Sequence, residues 1–169
     1  MSSPRPPRVD IWCELQCPDC RTALTDLAAL RARFGPELVV ELRHFPLEKH
    51  KHAHIAAQAA EEARAQGALW PYVEAVLARV EDLAAAKGPA AERLLVEIAA
   101  DLGLDADELE LALIDGRHIF QVDADEAEGA AIGVKGTPTY EVAGEFLDAH
   151  LDQTGIRQRI EDLLTAQGH

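Results

Sequence analysis

The sequence predicts a mixed α/β domain in which an all-helical block interrupts a small sheet. Three observations carry that reading. The apolar runs "VDIWC" (residues 9–13) and "LVVELRHF" (residues 38–45) flank a helix-periodic stretch, the pattern of a strand–helix–strand unit. An alanine-rich region of helical periodicity without a strand comes next. The chain then returns to short β-rich runs joined tightly at Ala143 and Gly144, which reads as a hairpin.

Taken in order, residues 9–13 are short and apolar and begin with a β-branched residue, so they read as a buried strand. From Cys17 onward Leu24, Leu27, Leu30 and Phe34 recur at helical spacing until Gly35 and Pro36 end the run. Residues 38–45 form the second strand, and a helix between two strands requires them to run parallel. Four amphipathic helices follow: "HAHIAAQAAEEARAQG", closed by Gly67; "WPYVEAVLARVEDLAAA"; "PAAERLLVEIAADLG"; and "DADELELALIDG". The last opens with Asp105 three residues before Glu108, as in a capping box. "FQVDADEAEGAAIG" reads as helix, residues 139–142 and 145–147 as the hairpin, and Ile156, Ile160, Leu163 and Leu164 as one face of a final helix. Residues 8–48 and 119–169 are then two halves of a sheet domain, and residues 49–118 a helical insertion.

With 169 residues, 48% hydrophobic and 27% charged, the chain is expected to be soluble and globular. Its formal net charge of -14 repels phosphate backbones and anionic lipid, which argues against nucleic acid and membrane surfaces as partners. No apolar run precedes Val9, and none reaches the roughly 20 residues of a membrane span. A cytoplasmic protein is therefore expected, and in that compartment paired thiols are more often catalytic, redox-sensing or metal-binding than structural.

All three cysteines, Cys13, Cys17 and Cys20, fall within "CELQCPDC". Cys17 stands where a strand hands over to a helix, and free N–H groups with the helix dipole are expected to lower a thiol's pKa there. Pro18 suits the first helical turn. Cys20 is spaced to close a disulfide with Cys17, although C-x-x-C also fits zinc. The same letters fit the C-x-x-x-C-x-x-C of radical S-adenosylmethionine enzymes. Those carry an aromatic where Asp19 stands and need a larger barrel than this chain supplies. Far along the chain, "GVKGTPTYEV" sets Thr137 and Pro138 between a glycine-rich turn and a strand. A proline there invites a cis bond and leaves neighbouring backbone groups free for an extended peptide.

Together, "CPDC" between strand and helix, "RHFPL" (residues 43–47), the helical insertion and "GTPTY" before a hairpin resemble the DsbA-like branch of the thioredoxin-fold family. The resemblance runs over nearly the whole chain. It implies a thioredoxin-like fold with an inserted helical subdomain, and a thiol–disulfide oxidoreductase that needs no cofactor. Cys17 would be the attacking thiol, Cys20 the resolving thiol, Pro138 the cis-proline facing them, and Thr137 the residue whose backbone meets substrate. Partners would be a disulfide- or thiol-bearing protein or small molecule, together with a reducing partner. The family's best-known oxidants are exported and commonly carry histidine between the cysteines, where this chain has Pro18 and Asp19. An aspartate opposes the thiolate and makes the disulfide less oxidising, so a cytoplasmic reductase or isomerase is expected. A small-thiol-dependent transferase or isomerase of the same fold, and a non-enzymatic metal-binding or redox-sensing module, are the alternatives.

Cys13 shares a strand face with Val9 and Ile11 and is expected to pack as a small hydrophobe, with a regulatory thiol or a metal ligand as the alternatives. His50, His52 and His54 in "KHKHAH" suggest zinc beside the thiols. Their spacing does not gather all three on one helical face, so a solvated helix start is expected and no metal site is assigned. Trp12 is the aromatic placed to report on the cysteines, and Trp70 and Tyr72 are expected between insertion and sheet. His44, His118 and His150 have no partner visible in sequence.

Overall fold

The first strand sets the position of everything else. In the computed structural model, which describes residues 3–169, β1 (Arg8–Cys13) lies inside a four-stranded sheet of order β2–β1–β3–β4. β2 (Val39–His44) pairs with it in parallel, from Arg8 opposite Val39 to Cys13 opposite His44. β3 (Thr139–Val142) pairs antiparallel on the other side, Trp12 opposite Thr139, and β4 (Glu145–Asp148) completes the edge. A parallel pair needs a crossover, and α1 (Pro18–Phe34) supplies it with Cys20, Ala23, Leu27 and Leu30 as its buried face. At the β3–β4 turn Ala143 has φ 53° and Gly144 φ 79°, the paired positive values of a two-residue hairpin.

Five helices lie between β2 and α7 (Ile119–Ile132). They are α2 (Ala53–Ala65), α3 (Leu69–Ala78), α4 (Val80–Ala85), α5 (Ala90–Asp101) and α6 (Ala106–Asp115). The sequence predicts one helix where α3 and α4 stand. The break is at Arg79, whose N–H closes a tighter turn onto the Val76 carbonyl at 3.0 Å. Val76, Leu77, Val80 and Leu83 all stay buried across it, while the Arg79 guanidinium reaches Asp82 and, on α5, Glu97. Trp70 and Tyr72 on α3 meet both sheet and insertion. The Trp70 indole N–H donates to the Val40 carbonyl at 3.3 Å, and the Tyr72 hydroxyl to the Leu95 carbonyl at 2.8 Å.

The predicted cap of α6 is half formed. The Asp105 carboxylate accepts the Glu108 N–H at 3.0 Å. The reciprocal arm is missing, because the Asp105 N–H donates to Gln66 Oε1 and Glu108 turns to Arg117. α8 (Ile156–Ala166) closes the fold, burying Ile160 and Leu164 and packing on α1 and β3.

Strand alternation divides the core. Val9, Ile11 and Cys13 join the main apolar cluster with α1 and α8. Trp12 points the other way, onto α7 at Gly129. A Cβ at Gly129 would stand 2.7 Å from Trp12 Nε1 and 3.0 Å from Phe45 Cδ2. Glycine is there for a close approach, not for a special backbone angle. Gly129→Ala gains about 1 kcal/mol of helix propensity but overpacks a fixed indole, which costs about 1–3 kcal/mol. The expected outcome is a net loss of stability in urea denaturation together with a changed Trp12 emission; a more stable Ala variant would show that α7 does not seat on Trp12.

Candidate active site

Every residue from Ile11 to Cys17 is buried, so the chain passes from β1 into α1 without surfacing. Cys17 is the N-cap of α1, still extended at φ -96° and ψ 115°, and Pro18 opens the helix. The Cys17 carbonyl accepts the Cys20 N–H at 3.1 Å, and the Cys17 N–H reaches back to the Glu14 carbonyl at 3.4 Å. The Cys17 thiol donates to the Thr137 carbonyl oxygen at 3.7 Å, a contact across 120 residues. The Thr137–Pro138 peptide is cis, and Pro138 is buried, its carbonyl accepting the Ala149 N–H at 3.2 Å. Cys20 lies fully buried one turn inside, with Cys13 packed behind it; all three cysteines are free thiols. A groove of 640 Å³ opens above Cys17, walled by Leu47, Lys49 and His50 on one side and by Lys135, Gly136, Thr137 and His150 on the other.

The electrostatics of Cys17 differ from the sequence expectation. The neighbouring Cys20 thiol and burial push the Cys17 thiol up from its ordinary value, and the Thr137 side chain and the Cys20 amide only partly oppose them. Asp19 is not the cause of the upward shift: it is exposed on the groove rim. Burial, followed by the Cys13 thiol, likewise raises Cys20.

The residue that sequence reading missed is Glu14. It is fully buried, and its Oε1 lies 2.6 Å from His50 Nδ1 while Oε2 has no partner. Burial, with the Cys17 charge second, pushes Glu14 from 4.5 up to about 8. Burial and Lys49 lower His50. Both directions leave the shared proton on Glu14, which donates to Nδ1. The one sequence signal was a charged residue inside a run otherwise continuous with a buried strand.

The other histidines disperse. His52 donates from Nε2 to the Ala86 carbonyl, and His54 Nε2 bonds Asp123, each at 2.8 Å. His118 pairs with Glu62 and His150 with Asp148. One buried group among the described residues, His44, Glu61 and Asp125, has ligand atoms within 4.8 Å of one another. A cation is already built in there: Arg64 Nε meets Glu61 at 2.8 Å, and its other nitrogens reach Glu41 and the Leu42 carbonyl.

Residues 8–161 match the family model for the DSBA-like thioredoxin domain. The chain belongs to that family. BdbD from Bacillus subtilis superposes with a TM-score of 0.78 at 19% identity, over 97% of this chain and 90% of that one. A thioredoxin-like oxidoreductase from Silicibacter pomeroyi gives 0.73 at 23% identity, over 96% and 87%. Among curated sequences, a protein from Herminiimonas arsenicoxydans named as the Na(+)/H(+) antiporter NhaA is 33% identical over 150 residues. That match takes in 89% of this chain but only 23% of the relative, so the likeness is to one segment of a longer protein. No helix among the described residues is long and apolar enough to cross a membrane.

Glu14 makes a family site of this kind sensitive to pH in a definite direction. A group whose pKa is raised on folding contributes stability in full below its unfolded value, and that contribution is lost as pH rises through the folded value. Unfolding free energy of the reduced protein should therefore fall between about pH 4.5 and 8, relative to Glu14→Gln, by on the order of 4–5 kcal/mol. Urea titrations of both proteins at pH 5 and 8.5 check this; equal pH slopes would mean that Glu14 is solvated.

Proposed function

We propose that this chain is a thiol–disulfide oxidoreductase that works through Cys17 and Cys20, with no cofactor. The observation that carries this reading is the Cys17 thiol, set at the base of a groove against the Thr137 carbonyl with Cys20 one turn inside. An extended substrate lying along residues 135–137 presents its disulfide to Cys17. Cys17 sulfur bonds to one substrate sulfur, the substrate S–S bond breaks, and the second substrate sulfur leaves as a thiol. Cys20 then attacks the mixed disulfide at Cys17, releasing the reduced substrate and leaving a Cys17–Cys20 disulfide for a reducing partner to reopen.

The direction we favour is reduction or isomerisation in the cytoplasm. A strong oxidant of this chemistry stabilises its reduced form as a thiolate, whereas the Cys20 thiol and burial oppose the charge at Cys17. The intact cysteine pair also weighs against a transferase that depends on an added small thiol. Of the relatives' printed functions only thiol–disulfide chemistry is carried to this chain, since the match covers only 23% of the antiporter-named relative.

Metal-free protein equilibrated across thiol–disulfide buffers and then alkylated decides the matter. Two of the three thiols should disappear together, with peptide mapping placing the bond between Cys17 and Cys20. The midpoint should lie below about -200 mV, away from the roughly -120 mV of a strong oxidant. Absence of that bond at every poise would sink the enzyme reading, and a midpoint near the oxidant's would reverse the direction.

A further inference from the structure

Cys13 is the buried thiol that the exchange chemistry leaves unused. Val9 and Ile11, before it on the same strand face, are aliphatic, and all three enter the apolar cluster beneath α1. Cys13 is held in place by the sheet: it stands opposite His44, and its carbonyl accepts the Phe45 N–H at 3.0 Å. Cys20, on the buried face of α1, packs onto it. The Cys20 thiol therefore stands between two others, hydrogen-bonding with Cys17 towards the groove and with Cys13 towards the core. Of the three, Cys17 alone lines the groove; Cys20 is 0% exposed and Cys13 5%. An aliphatic residue would serve packing as well, yet sulfur stands at the position that hydrogen-bonds the resolving thiol.

We infer that Cys17, Cys20 and Cys13 form a three-thiol relay that carries the disulfide inward, from Cys17–Cys20 to Cys13–Cys20. The relay rests on the exchange reading above, whose product, the Cys17–Cys20 disulfide, is the bond that moves. The Cys13 sulfur bonds to the Cys20 sulfur, the Cys17–Cys20 bond breaks, and Cys17 leaves with the electron pair. The proton that Cys13 gives up balances the thiolate set free at Cys17. One disulfide is consumed and one is formed, so nothing is oxidised or reduced overall and no other reactant is needed. The Tyr140 hydroxyl is buried without a hydrogen-bond partner, and Cys13 and Cys20 are among the groups that bear on it. It is a free donor for the charge that passes between the inner sulfurs.

Moving the bond changes what the site does. A Cys13–Cys20 disulfide lies out of the groove's reach, so a reducing partner docked there meets only Cys17 and has to wait for the bond to return. Cys17 is meanwhile a single free thiol. A substrate captured on it is no longer released by Cys20, and leaves only when another of the substrate's own thiols attacks the mixed disulfide. That rearranges the substrate's disulfides without reducing them. The site therefore reduces when all three thiols are free and isomerises when the inner pair is bonded.

The test oxidises the reduced protein with glutathione disulfide, quenches it in acid and labels the remaining free thiol with a maleimide in denaturant. Cleavage after Glu14, still in acid, then separates Cys13 from Cys17 and Cys20. Two singly labelled forms are expected side by side. In one, Cys13 carries the label and the two fragments part; in the other, Cys17 carries it and the fragments stay joined through Cys13 and Cys20. Cys13→Ala should lose the singly labelled Cys17 form altogether while keeping the Cys17–Cys20 bond. A label confined to Cys13 in the oxidised wild type, a label on Cys20 with the fragments joined, or a singly labelled Cys17 form that survives in Cys13→Ala would overturn the relay. Failure of the exchange reading shows separately, as three labelled thiols at every poise.

Discussion

The buried passage from β1 to α1 is the constraint on which the rest of the molecule depends. A chain that turns from strand to helix without reaching water has to satisfy its backbone groups internally. Here the Cys13 carbonyl accepts the Phe45 N–H at 3.0 Å, and the Cys17 carbonyl accepts the Cys20 N–H. The β2 register, with Cys13 opposite His44, fixes the first of these bonds, and the helix start at Pro18 fixes the second. Between them the chain has almost no freedom. Cys17 is delivered to the Thr137 carbonyl, Cys20 to the interior, and Glu14 to a place without solvent.

The same dryness decides the electrostatics. A helix N-terminus stabilises an anion by about 0.3–2 kcal/mol, which is at most one or two pKa units at 1.36 kcal/mol each. Burial of an ionisable group can shift it by about 3–5 units in the opposite direction. Burial wins at Glu14, which holds its proton at neutral pH. The buried carboxyl that enters the site with the thiols therefore shares its proton with His50.

The groove wall that carries His50 is held from behind. His44 ends β2, and its backbone N–H donates to Asp125 on α7 at 3.1 Å while its ring bonds Glu61 on α2 at 2.8 Å. Burial opposes the Glu61 charge, but His44 and Arg64 outweigh it and hold Glu61 below its ordinary value. Buried polar contacts of this kind add little net stability, because desolvation offsets much of the attraction. Their contribution here is positional: they join the last residue of β2 to two helices, and residues 47–50 follow directly from that anchor.

Much of this was legible in the order of residues. The two parallel strands with their crossover helix and the hairpin at Ala143 and Gly144 follow from periodicity and turn chemistry, which are local properties, whereas the thiol pair facing Thr137, a contact across 120 residues, was expected only from the family resemblance. The break at Arg79 was not legible, since an unbroken helix would have shown the same apolar pattern. Glu14 and His50 were not legible either. In sequence, one is an acid beside a cysteine and the other a histidine in a basic-looking run. Their significance comes from burial and from a contact spanning 36 residues, and both follow from how β1, β2 and α1 close on one another. The sequence by itself determined which elements form and which residues carry sulfur; only the tertiary structure decided which groups lose water, and loss of water is what sets where the protons sit.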